Sequence, residues 1–90
     1  MMTMQDTDLR LDGNAAAGLL VEVFGTEMTA ALGTCATCGA TNAFGATMFY
    51  VHAPGSVLRC PNCTAVLMCV VRLPDGLVVD IGGVRRIQMA

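Results

Sequence analysis

Ninety residues, 54% of them hydrophobic and only 13% charged, make an apolar globular chain and exclude an intrinsically disordered one, which would be polar and rich in charge. Five arginines, no lysine and seven acidic residues give a formal net charge of −2, so a nucleic-acid phosphate backbone repels the chain unless its few arginines gather on one face. A single domain of this length has a thin core and gains from a staple such as a metal ion.

The first residues, Met1 to Asp8, lack the basic and apolar blocks of a secretion signal, which leads to the expectation of a cytoplasmic protein. Residues 1–10 are expected to form a flexible tail and residues 11–90 a single domain. Asp12 or Asn14 can cap a helix in which Ala16, Leu19, Leu20, Val23 and Phe24 recur at helical spacing, and Gly25 supplies its stop. After it the pattern turns to strands. Met28 to Thr34 and Ala46 to His52 have strand composition, and Pro54-Gly55 fits the centre of a tight turn leading into Ser56 to Arg59. Ala65 to Leu73 and Leu77 to Ile81 flank Pro74-Asp75-Gly76 and predict a hairpin, with a last short strand at Val84 to Met89. The longest apolar run, Ala65 to Val71, is far below the ~20 residues a membrane-spanning helix needs, so no membrane partner is expected.

Two CxxC pairs carry the chemistry. Cys35-Ala-Thr-Cys38 and Cys60-Pro-Asn-Cys63 are separated by 21 residues, about what a loop and a hairpin need to go out and return. Two residues between cysteines let one tight turn, a knuckle, aim both sulfurs at one centre while its N–H groups stabilise the thiolates. Gly39 can take the positive φ with which such a turn ends, and Pro61 presets the second turn. Cys35, Cys38, Cys60 and Cys63 are therefore the expected ligands of one metal ion. Four protein ligands close a tetrahedron and leave no position for water or substrate, so the metal is expected to be structural. Zinc is the expected ion, one per chain, and iron is the alternative because the same thiolate set suits both.

The remaining reactive residues read more simply. Cys69 lies inside an apolar run and is expected to be a buried thiol. His52 stands beside a turn with no second titratable group to build a catalytic set, so no enzyme is expected. Arg59 can offset the charge of the second knuckle, and Arg85-Arg86 is the only basic doublet. Met48 and Met68 are expected to fill gaps in the core.

Asp12-Gly-Asn-Ala15, Glu22-Val-Phe24, Cys35-x-x-Cys38-Gly39, His52-Ala-Pro-Gly55, Leu58-Arg-Cys-Pro-x-Cys63 and Ala65-Val-Leu67 together resemble a family of small bacterial proteins of unknown function. The resemblance runs from Leu11 onward. It implies a small, mainly β, zinc-ribbon-like antiparallel sheet with two CxxC knuckles and a short N-terminal helix, and it implies the four cysteines as ligands. It brings no activity with it. The expected function is a structural zinc-binding domain that acts as a protein-interaction or regulatory module, through an unknown protein partner or self-association. The alternatives are a rubredoxin-like iron protein that passes one electron, and a nucleic-acid-associated ribbon in which Arg59, Arg72, Arg85 and Arg86 would share a face. A CxxC thiol-disulfide enzyme is the remotest reading, since such enzymes use one pair in a larger βαβ setting.

Overall fold

The computed structural model describes residues 10–52 and 54–89. Most of the expected flexible tail, residues 1–9, lies outside the described residues. The first described residue, Arg10, already belongs to a strand, β1 (Arg10–Asp12). Asp12 then turns the chain: its carboxylate accepts the Asn14 N–H at 2.7 Å and starts a 3-10 turn, Gly13–Ala16, which runs into helix α1 (Ala17–Phe24). Ala16 and Leu20 are fully buried, Leu19, Val23 and Phe24 pack on the core, and Val21 and Glu22 face out. Gly25 ends the helix with its N–H on the Val21 carbonyl.

The strand expected over Met28 to Thr34 forms only in its second half, as β2 (Leu32–Cys35). Local bonds take the first half. The Glu27 carboxylate accepts the Thr29 hydroxyl at 2.7 Å and its N–H at 3.2 Å, and the Ala31 N–H reaches the Met28 carbonyl. The turn buries Met28 completely. An unexpected strand, β3 (Thr41–Ala43), pairs antiparallel with β2, and a 3-10 turn, Phe44–Ala46, leads to β4 (Met48–His52).

β5 (Gly55–Arg59), β6 (Val66–Leu73), β7 (Gly76–Asp80) and β8 (Val84–Gln88) complete the chain. The closing pairs of the two tight hairpins are His52 with Gly55 and Leu73 with Gly76. Each glycine thus opens a strand, where the sequence suggested the turn itself. Proline cannot donate to a ladder, so Pro54 and Pro74 stay in the loops and the glycines take the first paired positions.

The strands form two antiparallel sheets, one of five strands in the order β1-β4-β5-β6-β7 and one of three in the order β3-β2-β8. Across the larger sheet Phe49, Leu58 and Met68 stand in register as one buried row. Leu20, Met28 and Phe44 join them in the core cluster, and Phe44 meets Phe24 of the helix with ring centroids 6.5 Å apart. No helix among the described residues is long and apolar enough to cross a membrane.

Candidate metal centre

Each CxxC pair sits in the turn of a two-stranded unit: Cys35 ends β2 and its turn leads to β3, while Cys60 follows β5 and its turn leads to β6. The two turns repeat one hydrogen-bond pattern. The N–H groups of Cys35 and Cys60 donate to the carbonyls of Ala40 and Ala65, each at 2.9 Å, and those of Gly39 and Thr64 return to the carbonyls of Cys35 and Cys60, again at 2.9 Å. The Thr37 and Asn62 N–H groups point at the sulfurs of Cys35 and Cys60, both at 3.4 Å. Two unrelated tetrapeptides have therefore folded into the same knuckle.

The knuckles bring all four sulfurs within 4.8 Å of one another. The Cys35–Cys63 and Cys38–Cys60 Sγ pairs are each 3.7 Å apart. A tetrahedron of sulfurs about 2.3 Å from a central ion has edges of about 3.8 Å, so the donor set fits a four-thiolate metal centre. Cys35 and Cys60 are buried, Cys63 is half-buried and Cys38 is exposed, which leaves the cluster closed on its core side and near the surface on the other.

Electrostatics point the same way. The Cys38 N–H, followed by that of Thr37, pulls the Cys35 thiol down to about 6 against the effect of burial. Cys63 is pushed up to about 12: the Ala65 N–H favours its thiolate, but burial and the sulfurs of Cys35, Cys38 and Cys60 outweigh it. One thiolate thus forms readily and a further one resists ionisation beside it. A divalent cation at the centre removes that conflict, because it lets all four sulfurs ionise together.

Side chains around the second knuckle hold it in place. Arg59 donates to the Thr64 carbonyl at 2.8 Å, and its guanidinium carbon lies 5.7 Å from the centroid of the Tyr50 ring. Asn42 of β3 donates to the Asn62 side chain at 2.9 Å and so ties the smaller sheet to this knuckle. The N–H of Ala36, in the first knuckle, donates to the Gly83 carbonyl, and the Gly83 N–H donates to Leu67 at the start of β6. These cross-links join residues far apart in the chain and are not visible in the sequence.

The positive φ expected at Gly39 is present, at 79°. Its counterpart in the second knuckle is Thr64, at φ 66°, a conformation costly for a β-branched residue. Thr64→Gly is expected to stabilise the metal-loaded protein by about 0.5–1 kcal/mol, the strain relieved being partly offset by glycine's greater unfolded-state entropy. Thermal unfolding should show a rise of a few degrees; a fall would mean that the Thr64 hydroxyl, which donates to the Cys63 carbonyl, outweighs the strain.

The other candidate residues lie apart from this centre. His52 is an exposed strand end paired with Gly55. Cys69 is half-buried in mid-β6, less enclosed than its apolar neighbours suggested, because it points to the face of the sheet opposite the Met68 and Val70 core positions. Arg72 forms a two-pronged ion pair with Glu22 of α1, at 2.8 and 2.9 Å, which holds the Glu22 carboxyl below its ordinary value. Arg59 is occupied at Tyr50 and Thr64, and Arg85 and Arg86, adjacent on β8, face opposite sides of their strand.

Residues 4–90 match the family of unknown function DUF6510. The chain belongs to that family. No curated protein and no solved structure matches the chain. Membership agrees with the resemblance to a family of unknown function and adds no substrate; the four-cysteine cluster is the feature that bears on function.

Proposed function

We propose that Cys35, Cys38, Cys60 and Cys63 hold one structural zinc ion as thiolates, and that the domain so stapled is a zinc-ribbon-like protein-interaction or regulatory module of the cytoplasm. The observation that carries this reading is the convergence of two equivalent knuckles on a sulfur set of tetrahedral size. Four protein ligands leave the ion no open position, so its contribution is folding free energy and not Lewis-acid chemistry. Function then falls to the surface the metal organises. A rubredoxin-like iron centre is the second reading, and the exposure of Cys38 favours it by giving an electron a short way out through sulfur.

Elemental analysis and an absorption spectrum of protein purified from its own host test both. One zinc per chain and no visible colour is the expected result. One iron with a reversible redox change would replace the structural reading by electron transfer, and protein without metal would sink both.

A further inference from the structure

Among the described residues four strands form the edges of the two sheets: β1, β7, β3 and β8. Exposed edges invite pairing with another chain, and proteins blunt them with shortness, charge, proline or bulges. β1 and β3 are three residues long, the Asn42 side chain of β3 is tied to Asn62, and β8 carries Arg85 and Arg86. β7 has only one of these protections, the charge of Asp80 at its last residue. Its five residues, Gly-Leu-Val-Val-Asp, include no proline or basic side chain, and it pairs with β6 in unbroken register. Among the described residues nothing pairs with its other side. Val78 is 52% exposed and Val79 39%, and Ile81 just beyond is also 39% exposed.

We infer that β7 is a homodimerisation edge, pairing antiparallel with β7 of a second copy about a two-fold axis at Val78 to join two five-stranded sheets into one of ten. This names the partner for the interaction-module reading proposed above and rests on it. The register follows from the hairpin. Leu73 and Gly76 close the β6–β7 turn as a hydrogen-bonded pair, so the alternation of the ladder directs Val78 toward β6 and turns the N–H and C=O groups of Leu77 and Val79 outward. A two-fold axis at Val78 sets Leu77 opposite Val79 of the second copy, and the outward groups of both then meet. The charges fit the same axis. Asp80, the only charge on the strand, falls opposite Gly76 of the other copy, which has no side chain to crowd or repel it. Moving the axis to Asp80 would place the two Asp80 carboxylates face to face. The patch is therefore self-complementary, as a two-fold interface requires.

Light scattering and sedimentation of the metal-loaded full chain test the inference. The expected mass is twice 9.4 kDa at high micromolar concentration. Val79→Pro removes an outward N–H that the fold does not use, so it should weaken self-association at least tenfold while metal content and strand signal stay unchanged. Val78→Lys, which places two ammonium groups at the axis, should do the same, and Val21→Lys, on the exposed side of α1, should leave the dimer intact. A wild-type mass of 9.4 kDa at that concentration, or a Val79→Pro chain that dimerises as tightly as wild type, would overturn the inference. A monomer that retains one zinc defeats the dimer alone, whereas a dimer without metal defeats the structural-metal reading and leaves the edge standing.

Discussion

Cys60→Ser is expected to abolish cooperative folding. Cys60 is almost wholly buried at 1% exposure, it accepts the Asn62 N–H, and its sulfur lies 3.7 Å from that of Cys38. Serine keeps the size of the side chain and removes a thiolate ligand. Structural zinc in comparable four-ligand sites contributes roughly 10–16 kcal/mol, which is as much as or more than the whole stability of a typical domain, so a site that no longer holds its ion cannot be compensated by this core. Circular dichroism should show the strand signal lost or its melting no longer cooperative, and metal analysis should show the ion gone. Cys69→Ala is the control, since Cys69 lies on β6 away from the cluster, and it should keep its metal and its transition. A Cys60→Ser chain that melts like wild type would remove the claim that the metal holds the fold.

The cluster is legible in the sequence because CxxC spacing is local: two intervening residues suffice to make a knuckle, and two knuckles imply a shared centre. The helix is legible for the same reason, with its apolar period and its stop at Gly25 written within a few turns of chain, although Asp12 caps the 3-10 turn that precedes it and α1 itself begins at Ala17 with no side-chain cap. What the sequence does not show depends on distant partners. β3 is a strand only because β2 lies beside it, and its Thr-Asn-Ala sequence has little strand preference of its own. Met28 reads as a strand residue but is held in a turn by Glu27, and no periodic pattern reports a side chain capping its neighbour's backbone. Thr64 gives no local sign of positive φ; the second knuckle imposes it through the same hydrogen bonds that Gly39 satisfies without strain.

Gly82 and Gly83 make the same point as a prediction of large effect, since they are adjacent and identical in the sequence and differ in what surrounds them. A Cβ on Gly82 would meet only the Asp80 carboxylate, at 3.1 Å, and a side-chain end can move away. A Cβ on Gly83 would overlap the Val66 carbonyl and stand 2.7 Å from the Leu67 Cα, both of them backbone at the start of β6. Relief would require the turn at Gly83, just before β8, to withdraw from β6, which breaks the Gly83 N–H bond to Leu67 and pulls on the Gly83 carbonyl that receives Ala36 of the first knuckle. Gly83→Ala is therefore expected to destabilise the metal-loaded protein by about 3 kcal/mol or more, and Gly82→Ala by under about 1 kcal/mol. At this chain length the first corresponds to a fall in melting temperature of more than about 10 °C. Because Gly83 links the first knuckle to the strand that leaves the second, Gly83→Ala should also lose metal to a chelator faster than Gly82→Ala does. If the two variants melt together and release metal at the same rate, the close approach of the Gly83 turn to the knuckles is not what joins the two halves of the site.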